Sequence, residues 1–185
     1  VNAGTLKAGT NTAFSVNSAC SVGAAGTLAL AGHSNTISSL DGAGKVTLGG
    51  GVLTISGDST NTPAFSGVIS GFGEIIKSGA GTLTLSGVNT YTGDTQVVSG
   101  TLRLEQASLP EDTVLRVSAG ALIDLSLVGS NTVHSLYLNS VLQPTGVWGA
   151  SGSAATRVND LYFTGGGTLN VLSGAPLNSA VIIVK

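Results

Sequence analysis

The sequence predicts an all-β chain wound as a single parallel β-helix, a β-solenoid of about 20 residues per coil. Three observations predict it. The word Gly81-Thr82-Leu83-Thr84-Leu85 returns at Gly100-Thr101-Leu102-Arg103-Leu104. Its period-2 alternation puts Leu83 and Leu85 on one face of a strand and Thr82 and Thr84 on the other. The two glycines are 100 − 81 = 19 residues apart, too far for a tight hairpin and suited to one coil, so Leu83 should stack under Leu102 and Leu85 under Leu104. The third observation is composition. The 185 residues include 28 Gly and are 42% hydrophobic, but only 9% charged and 4% aromatic. Many short aliphatic strands with tight turns fit that profile; a disordered, highly charged chain does not.

Related words run through the chain: Gly4-Thr5-Leu6, Gly26-Thr27-Leu28, Gly44-Lys45-Val46, Gly51-Val52-Leu53, Gly120-Ala121-Leu122 and Gly167-Thr168-Leu169. Successive glycines lie 22, 18, 7, 30, 19, 20 and 47 residues apart. The interval of 30 predicts an insertion near Asp58 to Pro63. The interval of 47 predicts two coils and a longer loop. Asn-Thr pairs at Asn11, Asn35, Asn61, Asn89 and Asn131 read as turn residues whose amides pair from coil to coil. Ser108 to Asp112 reads as a turn before the strand Thr113 to Val117. At Gly120 to Leu125, either Ala121, Ile123 and Leu125 all face inward or a bulge resets the register. Gly146 to Arg157 reads as a loop outside the stack. At 4.8 Å per coil the chain makes roughly nine coils, a rod on the order of 40–45 Å. The expected organisation is a solenoid over residues 1–172 and a C-terminal strand over 173–185.

The stretch Phe65 to Leu104 resembles the autotransporter-associated β-strand repeat of bacterial passenger domains. The residues that carry the resemblance are Phe65-Ser66-Gly67-Val68-Ile69-Ser70-Gly71, Lys77 to Gly87, Asn89-Thr90-Tyr91-Thr92-Gly93 and Gly100-Thr101-Leu102. Weaker similarity continues through Ala107 to Pro110, Gly120 to Leu122, Ser135 to Asn139 and Asn159 to Phe163. The resemblance implies a right-handed parallel β-helix, secreted or at the cell surface, serving as a scaffold without chemistry.

Charge excludes some functions. The net charge is −2 and the seven Lys and Arg are scattered, which argues against nucleic acid. The apolar run Ala180 to Val184 is too short to span a bilayer as a helix. Cys20 is the single cysteine, so it forms no internal disulfide and reads as a small buried hydrophobe. The chain starts at Val1 without Met, so either a leader has been removed or the chain is a fragment. No C-terminal membrane barrel is recognisable.

No catalytic residues, metal ligands or cofactor are expected. His33 and His134 read as surface residues rather than members of a triad. A β-helix polysaccharide lyase or hydrolase is the second alternative; it needs clustered acids, and the spacing allows only Asp94 with Glu111 and Asp112. The first alternative is a glycan-binding or host-binding adhesin, with Trp148, Tyr137 and Tyr162 as possible ligand-binding aromatics. The leading expectation is a non-catalytic extracellular structural protein that polymerises with copies of itself. Ala180, Val181, Ile182, Ile183 and Val184 would be the assembly segment, capping the last coil or adding as a strand to a neighbour.

Overall fold

The computed structural model describes residues 1–58 and 64–175. Its described residues contain strands and turns and no helix. Parallel coils of about 21 residues stack for about six turns, a β-solenoid. The register confirms that Leu83 lies on Leu102 and Leu85 on Leu104.

The coil has three faces. The first face carries β1 (Ala3–Lys7), β3 (Ala25–Ala29), β6 (Lys45–Thr47), β8 (Val68–Gly71) and β11 (Thr90–Tyr91) in that spatial order. The second carries β4 (Asn35–Ile37), β7 (Val52–Ile55), β9 (Glu74–Lys77), β12 (Thr95–Val97), β14 (Val114–Val117) and β17 (Ser135–Leu138). On the third, β2 (Ala19–Val22) and β5 (Ser39–Gly42) are joined through bridges at Phe65 to β10 (Thr82–Leu85), β13 (Thr101–Leu104), β15 (Leu122–Leu125) and β21 (Phe163–Thr164).

The stack ends differently. β18 (Val141–Leu142) folds back antiparallel on β17. β16 (Ser130–Val133) pairs with β22 (Thr168–Val171), which pairs antiparallel with β19 (Gly146–Gly149), itself flanked by β20 (Arg157–Val158).

Alternation decides which residues face inward. On the third face Leu83, Leu102, Ile123 and Phe163 form one buried column, and Leu85, Leu104 and Leu125 another. Each fully buried aliphatic side chain contributes roughly 1.5–3 kcal/mol. Ala121, Ile123 and Leu125 all face inward, so no bulge resets that register. The turn at Ser108–Asp112 closes through Thr113 N donating to Pro110 O, and β14 follows it as the sequence predicts. Thr84, expected in the solvent-facing row, is 7% exposed with Arg103 directly alongside it in register.

Several spacings read differently in space. Gly51 lies beneath Gly73 rather than Gly81, since Val52 pairs with Glu74. Gly100 stands opposite Ala121 rather than Gly120, since Thr101 pairs with Leu122. The interval from Gly120 to Gly167 is not two coils: Ser130 pairs directly with Thr168, and residues between them build the end of the stack. Those added residues help to reduce the expected nine coils to about six. The reason is geometric. The Gly-led word marks a corner, and the coil has three corners. A corner glycine is needed where main chains of successive coils nearly touch: a Cβ on Gly67 would stand 1.9 Å from Gly44 O, and one on Gly87 2.0 Å from Gly67 O.

Gly146 to Arg157 is not a loop outside the stack. β19 covers the last rung, and its own Trp148 and the following Ala150 are buried. Among the described residues the Asn amides do not pair with one another. Asn89 Oδ1 accepts from Ile69 N at 2.8 Å, and its Nδ2 donates to Ser108 O at 2.7 Å. Asn131 Oδ1 accepts from Leu109 N at 2.9 Å, and its Nδ2 donates to Leu109 O at 3.2 Å. No strand lies at Leu109, so these buried amides replace the missing ladder and carry the first face on to β16 and β22. Ser59 to Pro63, the centre of the expected insertion, and Ala180 to Val184, the expected assembly segment, lie outside the described residues.

Candidate ligand groove beside Tyr137

The second face sets one outward row in register: Thr36, Thr54, Ile76, Gln96, Arg116 and Tyr137. Strand alternation turns these side chains away from the core, and parallel stacking brings each beside the next. Near the end of the row the chemistry becomes dense. The Arg116 guanidinium carbon lies 4.3 Å from the centre of the Tyr137 ring, a cation–π contact. Arg116 Nε donates to Asp94 Oδ2 at 3.2 Å. Glu74 stands opposite Asp94 in the same ladder, as the Ile75–Thr95 pairing requires. Its carboxyl is pushed above the ordinary range, first by burial and then by Asp94, with Arg116 opposing.

After β17 the chain reverses through Asn139 and Ser140, both with positive φ, 46° and 66°. Left-handed backbone at two adjacent non-glycine residues is costly. It swings Ser140 over the end of the row. A cavity of about 120 Å³ results, lined by Gln96, Arg116, Val117, Ser118, Tyr137 and Ser140.

The other two aromatics are elsewhere. Trp148 is 7% exposed, packs at a tilt of 38° against Phe163 with ring centres 6.4 Å apart, and donates Nε1–H to Pro144 O at 3.1 Å. Arg157 covers its ring at 5.6 Å. Tyr162 is partly buried against the core. Tyr137 alone of the three lines this cavity. Aromatic residues by themselves did not locate the site, because its polar members are Gln96 and Arg116. Their spacing of 20 and then 21 residues to Tyr137, matching the coil, was the available signal.

Asp94 is committed to Arg116 and neighbours Glu74, rather than joining Glu111 and Asp112. Among the described residues no three His, Cys, Asp or Glu side chains come together to hold a metal ion. His134 is exposed and His33 half-buried in the turn before β4. Cys20 packs against the core edge, and burial raises its thiol pKa, with the N-terminal amine opposing and Asp41 adding slightly. It lines an apolar cavity of about 240 Å³ at the first coil with Val1, Leu6, Phe14 and Ile37.

Comparison with known proteins fits this architecture. The passenger-associated transport repeat matches residues 75–104, the span from β9 through β13. A curated relative, the "Adhesin BmaC autotransporter" of Brucella suis biovar 1 (strain 1330), is 38% identical over 175 residues, 91% of this chain. The chain carries autotransporter passenger repeats. It spans 5% of that relative's length. No solved structure matches the chain. Within the matched span the inward Ile75, Leu83, Leu85, Val97, Leu102 and Leu104 build the stack.

Proposed function

We propose that this passenger-repeat chain is an extracellular, non-catalytic adhesin segment whose solenoid holds ligand-contacting side chains on its outer faces. The observation that carries the reading is the 38% identity to an adhesin autotransporter across 91% of the chain. The chemistry of the described residues agrees with it. Asp94 is paired with Arg116, and Glu105 and Asp124 are both paired with Arg103. Beads coated with the purified chain should attach to epithelial monolayers several-fold more than albumin-coated beads. Attachment no better than albumin removes the adhesin reading. Measurable cleavage of a polysaccharide panel removes the non-catalytic one.

A second reading is polymerisation through a solenoid end, because a terminal coil offers main-chain groups to a further strand. Light scattering across a concentration series tests it. A strict monomer at high concentration excludes a filament.

A further inference from the structure

We propose that the cavity formed by Gln96, Arg116, Ser118, Tyr137 and Ser140 is a binding site for a neutral sugar with adjacent free hydroxyls. The proposal rests on the adhesin reading and names the chemistry of its ligand. Its first support is a set of uncommitted polar groups. The Gln96 amide, the Ser118 and Ser140 hydroxyls and the Tyr137 phenol have no hydrogen-bond partner among the described residues, and Arg116 uses only Nε, on Asp94. Five side chains from three successive coils and the closing turn therefore converge on one space of about 120 Å³ with their donors and acceptors open.

The geometry suits a diol. The guanidinium is a planar fork of donors, and contact with the Tyr137 ring on one side and Asp94 at Nε holds its plane. Its Nη groups remain to span two neighbouring oxygens. The Gln96 amide adds both a donor and an acceptor, and each hydroxyl can act as either. A hydroxyl-rich ligand uses all of these.

Charge selects against an anion. Asp94 neutralises Arg116, and Glu74 adds a second carboxyl behind it. A carboxylate or phosphate entering the groove meets a site without net positive charge. A neutral sugar loses nothing on that account. The volume admits one sugar rather than a chain, so affinity per site is expected on the order of 1 mM, useful at a surface carrying many copies.

The test is saturation-transfer NMR of the full chain with methyl glycosides of mannose, galactose, glucose, fucose and N-acetylglucosamine, with glucuronate as the anionic arm. At least one neutral glycoside should bind. Tyr137→Phe, which keeps the ring, and Gln96→Ala should each weaken that binding by up to ~10-fold without moving the melting temperature. Arg116→Lys, which retains charge and removes the fork, should abolish it. No transfer from any neutral glycoside overturns the proposal; so does binding of glucuronate alone, or binding indifferent to all three substitutions. Bead attachment that persists without sugar binding leaves the adhesin reading in place and removes only this site.

Discussion

Lys77 is the sharpest test of the core. It is 1% exposed and stands in an inward column with Ile55 below and Val97 above. Its Nζ donates to Gly79 O at 2.5 Å and Ser99 O at 3.3 Å, and no carboxylate lies within ion-pair distance among the described residues. Burial lowers its pKa from the ordinary lysine value, with Asp58 partly opposing. In Lys77→Met the chain length is kept and the charge removed. The dehydration penalty of a buried ion is several kcal/mol. Two hydrogen bonds from a charged group, worth about 1.5–3 kcal/mol each, are lost with it. The two effects nearly offset, so at pH 7 the variant should fall within about 2 kcal/mol of the parent.

The decisive quantity is the pH dependence of that difference. Because the folded-state pKa lies below the unfolded one, the unfolded chain holds more protons between the two values, and parent stability rises with pH across that window. The burial penalty is fully present below the folded value and gone above the unfolded one. Lys77→Met lacks the effect, so parent minus variant should rise with pH through the alkaline range. Taking the difference cancels Tyr91, whose pKa, pushed up to about 12 chiefly by burial, moves stability the opposite way above pH 10. Thermal melts of both proteins between pH 7 and 10 measure it. A difference flat with pH would show that the ammonium reaches water, and the assigned inward face of β9 would be wrong.

Three further substitutions test the corners and the amides. Asn131→Ala leaves Leu109 N–H and O without their partner and should cost about 2–3 kcal/mol in denaturant unfolding; a cost under about 0.5 kcal/mol would mean water replaces the amide. Gly67→Ala sets a methyl group 1.9 Å from Gly44 O and should largely abolish folding as read by circular dichroism, while Gly9→Ala, with nothing within 4 Å, should leave the melt unchanged. Equal tolerance at both would refute the glycine column.

The inward columns were legible because alternation survives every change of coil length. Leu83 finds Leu102 whichever face they occupy. The assignment of words to faces was not legible, since one local pattern serves three corners and spacing alone does not number them. The end of the stack was hidden by composition: Gly146 to Arg157 has the small polar residues of a loop, yet Val147 and Trp148 pair with Asn170 and Leu169. The groove was harder still. Gln96, Arg116 and Tyr137 are each unremarkable in their own strand, and only a register correct over three coils makes them neighbours. Asp94 illustrates the same point: counting from a glycine pointed to Glu111 and Asp112, whereas the ladder places it beside Glu74 and Arg116.

The same ladder constrains how copies of the chain could meet. A parallel coil can be extended only by an edge that offers its main-chain groups in parallel register. At the first coil described, β1 pairs with β3 and β2 with β5. At the last coil, β18 and β19 run antiparallel to the strands they cover, and β19 already carries β20 on its other side. On the first and second faces the parallel ladder is interrupted there, whereas on the third face β21 ends it in parallel register. Leu169 and Val171, the apolar side chains a terminal cap must shield, are already 0% and 2% exposed. Head-to-tail addition of coils would propagate rather than close, and light scattering across a concentration series separates a filament from a monomer.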